Sequence, residues 1–183
     1  DLRQNDDQPL DDESDIGLHA TPAIGKDVVI VGAAHTAGNI PKAIKSAKGY
    51  VRGFDVRTGK RLWIFHTVPH PGEPGYETWQ WEKNVRYGGA NPWGGFTIDE
   101  KRGWVFFGTG SAAPDLIYGG QRKGSNLYAN CVIALDATTG ERKWHYQTVR
   151  HDIWDYDNPP APLLATIQLG GKARDVVVQM SKN

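Results

Sequence analysis

The stretch Gly53-Phe54-Asp55-Val56-Arg57-Thr58-Gly59-Lys60-Arg61-Leu62-Trp63 has a counterpart in Ala134-Leu135-Asp136-Ala137-Thr138-Thr139-Gly140-Glu141-Arg142-Lys143-Trp144. Both read small-x-Asp-x-x-Thr-Gly-x-x-x-Trp. The offset is constant: 136 less 55, 140 less 59 and 144 less 63 all give 81. Asp and Thr side chains hydrogen-bond turn backbone, and glycine accepts the positive φ of a tight hairpin. Each motif therefore reads as a β-hairpin whose return strand carries a tryptophan. An indole at that place can cover a neighbouring unit, and two of them in the same context make a structural repeat.

Short β-branched runs surround these hairpins. Val28-Val29-Ile30-Val31-Gly32, Trp104-Val105-Phe106-Phe107-Gly108, Cys131-Val132-Ile133-Ala134-Leu135 and Val176-Val177-Val178 are bounded by turn residues. Such runs suit strands buried on both faces. No long window keeps a helical period, so the chain is expected to be all-β. A second strand pair precedes each motif, with turns near Gly25-Lys26-Asp27, Asp99–Gly103 and Gly170-Gly171-Lys172. Two hairpins make a four-stranded antiparallel blade of a β-propeller. The expected organisation is an acidic entry segment over 1–16, a blade over 17–66, an inter-blade insert over 67–92 and a blade over 93–148. A loop over 149–160 and the first half of a further blade over 161–183 follow. Propellers close with about four to eight blades, and two and a half cannot close a ring. The sequence is thus expected to be part of a larger propeller, and its start at Asp1 fits a removed leader or a longer parent.

Composition sets limits on function. The 183 residues hold 21 basic and 21 acidic side chains, so the net charge is zero. That speaks against nucleic acid as a partner, which calls for a basic excess or stripe. Residues 1–15 carry seven acids against Arg3, a solvated entry rather than a metal loop with regular ligand spacing. The longest apolar run is far short of the roughly 20 residues that span a bilayer. The single cysteine, Cys131, excludes an internal disulfide framework and a Cys-x-x-Cys-His haem attachment within this chain.

The repeat, taken with Arg150-His151-Asp152-Ile153-Trp154-Asp155-Tyr156-Asp157, resembles the pyrroloquinoline quinone (PQQ)-dependent dehydrogenases, most closely the membrane-bound quinoprotein glucose dehydrogenase group. Phe65-His66-Thr67-Val68-Pro69-His70-Pro71-Gly72-Glu73 and Gly75-Tyr76-Glu77-Thr78-Trp79 extend the similarity. The resemblance implies an eight-bladed propeller with tryptophan-docking motifs and PQQ near the axis. It implies bound Ca²⁺ (a lanthanide in some members), a sugar or alcohol substrate, and a membrane quinone or cytochrome as electron acceptor. It also implies a periplasmic location, with any membrane association carried outside this chain. Asp155 matches the catalytic aspartate and a metal ligand. Asp157 matches an extra carboxylate ligand, and Asn39 a further one. Trp93, with Gly94 and Gly95 beside it, is the nearest candidate for the cofactor slab; the stacking tryptophan of alcohol-oxidising relatives aligns nearer Gly95, and packing in the core is the other reading of Trp93.

The chemistry of these residues stands on its own. Oxidising a hydroxyl-bearing carbon needs a base for the hydroxyl proton, and a held carboxylate serves. A hard cation collects carboxylate oxygens and polarises carbonyls. His151 and Asp152 are expected to shape the loop rather than react. Trp63 and Trp144 are expected to be structural, and Trp79, Trp81 and Trp104 to pack. Two departures stand out. Ser111 follows Gly108-Thr109-Gly110 where alcohol-oxidising relatives have asparagine, and the loop over 33–39 has no acid. These departures favour a rival reading, a propeller that binds protein or carbohydrate without a cofactor.

Overall fold

The computed structural model describes residues 16–17, 20–35, 48–82, 87–113 and 119–182. Most of the acidic entry segment and Asn39 lie outside the described residues. The strands in chain order are β1 (Ile16–Gly17), β2 (Ala23–Gly25), β3 (Val28–Gly32), β4 (Ala34–His35), β5 (Tyr50–Asp55), β6 (Arg61–His66) and β7 (Gly88–Gly89). They continue as β8 (Phe96–Asp99), β9 (Trp104–Gly108), β10 (Ala112–Ala113), β11 (Cys131–Asp136), β12 (Arg142–Gln147), β13 (Leu163–Leu169) and β14 (Lys172–Val178). Two antiparallel four-stranded sheets form, β2-β3-β5-β6 and β8-β9-β11-β12, and β13-β14 is a further hairpin. This is the propeller-blade architecture that the repeat predicts. No helix among the described residues is long and apolar enough to cross a membrane.

The repeated motif folds the same way twice. Asp55 Oδ1 accepts the backbone N–H of Arg57 (3.0 Å) and Thr58 (2.7 Å). Asp136 Oδ1 accepts those of Thr138 (3.0 Å) and Thr139 (3.1 Å). Gly59 and Gly140 follow at φ +70° and +74°, the left-handed conformation that a glycine adopts without steric cost. Gly53 then pairs with Trp63 and Ala134 with Trp144, and both ladders shift register one residue later.

The tryptophan couples the sheets. Trp63, 8% exposed, lies between Gly53 of its own sheet and Gly140 of the next. A Cβ on Gly53 would fall 2.2 Å from Cε2 of the indole, and one on Gly140 would fall 2.7 Å from Cδ2. The indole N–H donates to the Ala137 carbonyl at 3.1 Å. Around it Val28, Ile30 and Val51 of the first sheet meet Val105, Phe107, Ile133 and Leu135 of the second, so the core lies between the sheets. Burying such side chains contributes roughly 1.5–3 kcal/mol each relative to exposure.

The insert over 67–92 has structure of its own. A 3-10 turn over Tyr76–Trp79 buries Trp79, whose indole N–H donates to the Leu127 carbonyl. Trp81 stacks on Tyr76 and on Trp79, and Tyr87 meets both tryptophans edge-on. β7 then pairs with β10 beyond the end of β9, which fastens the insert to the second sheet. Trp79 and Trp81 are thus packing residues, as their sequence context suggests. Trp104 lies half-buried on β9 against Phe106.

Candidate active site

β9 is a short buried strand because Val105, Phe106 and Phe107 fill both of its faces. It ends at Gly108, and the loop over 149–160 crosses that end. The crossing is close enough to require glycine. A Cβ on Gly108 would lie 2.4 Å from the Asn158 carbonyl oxygen, and one on Gly94 would overlap the Pro159 carbonyl. Gly94 therefore fits the loop's backbone against the segment that carries Trp93. Gly95 turns the chain at φ +104°.

This crossing brings Trp93, Gly110 and Asp157 together. The space that a Cβ on Gly110 would take is bounded by Asp157 Oδ1 at 2.7 Å and Trp93 Nε1 at 3.1 Å. Asp157 Oδ1 also accepts the Ser111 backbone N–H at 2.7 Å. Trp93 remains 39% exposed beside the acid. Ser111, the departure noted in the sequence, is a working part of the cluster: its N–H holds Asp157 and its hydroxyl donates to Asp152.

Asp155 and Asp157 converge on one cationic point. The Lys182 ammonium lies 3.0 Å from Asp155 Oδ2 and 3.3 Å from Asp157 Oδ2. Burial pushes the Asp157 carboxyl above its ordinary range and the Asp155 charge adds to this, while the Ser111 N–H and Lys182 oppose it. For Lys182, burial works against the charge, but the hydrogen bonds and charges of Asp155 and Asp157 outweigh it and raise the pKa. Asp155 adopts φ +60°, a left-handed conformation that aspartate tolerates better than most residues.

The loop is framed from beneath by buried polar groups. Asp152, 2% exposed, accepts hydrogen bonds from Ser111, Asn130 and two backbone N–H groups of the loop. Arg122, with no exposure, donates to the Asp152 carbonyl and to Asn126. His151 Nδ1 lies 2.9 Å from the Gly124 carbonyl. Asn130 and Arg122 carry no motif in the sequence. Lys182 sits 25 residues after Asp157, beyond the β13-β14 hairpin, and no local pattern marks it. Asn39 lies outside the described residues. Among the described residues no group of three or more His, Cys, Asp or Glu side chains is arranged to hold a metal ion. The acid pair does fit a share in one: two hard oxygen donors face a point that a cation, the ammonium of Lys182, already occupies.

Comparison with known proteins places this geometry in context. The family model for the PQQ glucose/ethanol/alcohol dehydrogenase β-propeller domain matches residues 1–183. The chain is 37% identical over 149 residues to quinohemoprotein alcohol dehydrogenase ADH-IIG of Pseudomonas putida, covering 74% of this chain and 20% of that protein. It is 35% identical over 162 residues to quinoprotein glucose dehydrogenase of Escherichia coli K12, covering 88% and 20%. Among solved structures, a quinohemoprotein alcohol dehydrogenase of Pseudomonas putida HK5 superposes with a TM-score of 0.82 at 31% identity, covering 97% of this chain and 26% of that one. A europium-containing methanol dehydrogenase superposes with 0.76 at 25% identity, covering 91% and 30%. The chain spans about a fifth of the length of the curated relatives it matches.

Proposed function

The chain belongs to the PQQ-dependent glucose, ethanol and alcohol dehydrogenase β-propeller family, and on that premise we propose that it supplies the catalytic carboxylate of an enzyme oxidising a sugar or alcohol. The observation that carries this reading is the convergence of Asp155 and Asp157 on one cationic point beside the Trp93 indole.

Asp155 is the base. Its carboxylate is partly exposed, so a hydroxyl can reach it, and Oδ2 accepts the hydroxyl proton as the C–H bond breaks. PQQ, when bound, supplies the two-electron acceptor for the hydride. Trp93, Gly94 and Gly95 would hold it, the indole offering a flat apolar face. A hard divalent or trivalent cation would take oxygens of Asp155 and Asp157 and act as a Lewis acid. Ca²⁺ is the proposed ion and a lanthanide its substitute. Asn39 is its proposed third ligand from this chain. Asp157 is fixed by the Ser111 N–H at Oδ1, so its other oxygen, which accepts from Lys182, is directed rather than mobile. In this structure the Lys182 ammonium sits at the point between the two acids that such a cation would take.

The remaining blades, a membrane quinone or cytochrome acceptor and a periplasmic setting complete the proposal. The test is reconstitution of the full-length protein with PQQ and Ca²⁺, followed by dye reduction on a panel of sugars and alcohols. Turnover is expected, and Asp155→Asn is expected to lower kcat by about 10²–10⁴-fold while PQQ stays bound. Absence of PQQ binding under all conditions supports the rival cofactor-free binding module. Unchanged turnover in Asp155→Asn removes that residue from its role.

A further inference from the structure

Asp152 lies three residues before the proposed base, and its carboxylate is fully engaged. Oδ1 accepts the backbone N–H of Trp154 at 2.9 Å. Oδ2 accepts the backbone N–H of Tyr156 at 2.7 Å, the Asn130 amide at 2.9 Å and the Ser111 hydroxyl. Trp154 and Tyr156 are the residues on either side of Asp155. One carboxylate therefore holds both shoulders of the turn on whose crest Asp155 sits. Its other two donors come from the second sheet's own chain: Ser111 follows β9, and Asn130 immediately precedes β11.

This arrangement answers a specific difficulty. A left-handed aspartate costs backbone energy and persists where the surroundings over-determine it. Hydrogen bonds from N–H to an ionised acceptor are roughly twice as strong as neutral ones. Two of them straddle Asp155, and Arg122 and Asn130 add a second layer by donating to the carbonyls of Asp152 and Tyr156. The crest is thereby tied to β9 and β11 rather than left to the loop.

We propose that Asp152 is the positioning residue for Asp155, fixing the orientation of that carboxylate through the two flanking backbone amides. The proposal rests on the reading of Asp155 as the base. It requires an aspartate in particular. An asparagine has one acceptor oxygen, and either orientation of its amide turns an N–H toward at least one of the backbone donors. A one-sided loss releases one shoulder of the turn while the buried volume stays the same.

The test uses the full-length protein loaded with PQQ and Ca²⁺. Two quantities are followed in Asp152→Asn: hydrogen exchange of the peptide covering residues 150–158, and the separate values of kcat and KM. Exchange in that peptide is expected to rise about tenfold, the loss of one modest hydrogen bond. The value of kcat is expected to fall about 100-fold, as a displaced catalytic group costs. PQQ affinity and KM are expected to stay near the unsubstituted values, which a general loss of structure would not allow. Ser111→Ala removes one donor from the same oxygen and is expected to move both readouts in the same direction by less. If Asp152→Asn does not fold, Ser111→Ala decides alone. Faster exchange with unchanged kcat overturns the proposal, as does lower kcat with unchanged exchange. Asp155→Asn, measured alongside, separates the two readings. If it is inactive while Asp152→Asn is fully active, only the positioning role fails. If Asp155→Asn turns over normally, the base assignment fails and takes the positioning role with it.

Discussion

The seat of Trp63 gives a quantitative expectation for Gly140→Ala. The substitution has two costs. At φ +74° an L side chain costs about 1–2 kcal/mol. The added methyl would also stand 2.7 Å from Cδ2 and Cε3 of Trp63 and 2.9 Å from Cγ. The indole has no room to retreat, because Gly53 backs it just as closely on the other side. Overpacking of this kind adds about 1–3 kcal/mol, so Gly140→Ala is expected to destabilise by about 3 kcal/mol in total. Trp63→Ala removes the indole and its hydrogen bond to Ala137, a loss of about 3–5 kcal/mol. In that background only the backbone cost of Gly140→Ala remains. A double-mutant cycle by urea unfolding should therefore show a coupling of about 1–3 kcal/mol. Gly59→Ala is the control. Its φ is +70°, and among the described residues nothing lies within 4 Å of the added methyl, so it reports the backbone cost alone. A coupling below about 0.5 kcal/mol would mean that the glycine serves the turn and not the indole.

Cys131 is fully buried and burial pushes its thiol far up, so it should resist Ellman's reagent at pH 8 and react in step with urea unfolding. Stoichiometric labelling of the folded protein would contradict this. The hairpin aspartates set an acid limit. Backbone and hydroxyl hydrogen bonds from Thr58 hold the Asp55 carboxyl below its ordinary 3.8. For Asp136, burial opposes the shift, but the N–H groups of Thr138 and Thr139 outweigh it. A depressed folded value means that the stabilisation is present above the unfolded value and is lost as pH falls through the folded one. The melting temperature should therefore drop as pH falls below about 4. Asp136→Asn should flatten that decline, and an unchanged slope would refute the assignment.

The fold was legible because its signal is local and repeated. The Asp-x-x-Thr-Gly hairpin is encoded within eleven residues, and its recurrence at a fixed offset reports the blade without any knowledge of packing. Asp155 and Asp157 could be singled out because they share one short stretch of family-like sequence. Lys182 could not, since a whole hairpin separates it from the acids and only the fold returns it. Ser111 was visible only as a missing asparagine ligand; the sequence did not show that its N–H and hydroxyl join Asp157 to Asp152. A main-chain donor has no residue-type signature, so no reading of side chains could have assigned that role. The insert over 67–92 was legible as a connection with packing tryptophans but not as a small core. Its aromatic residues have no periodicity, yet they stack into a small core of their own.

The two ends of β9 serve different ends of the molecule's history. At its start, Trp104 pairs with Asp136 and the Gly103 carbonyl takes the N–H of Ala137, whose own carbonyl receives the Trp63 indole. At its finish, Gly108 to Ser111 meet the acids. The two lie at opposite ends of a five-residue strand, about 13 Å apart along extended chain. Substitutions at the rim that carries the acids are therefore mechanically insulated from the joint between sheets. Loops there can vary while the joint between the sheets is inherited intact, which suits a scaffold shared with relatives named as glucose, methanol and alcohol dehydrogenases.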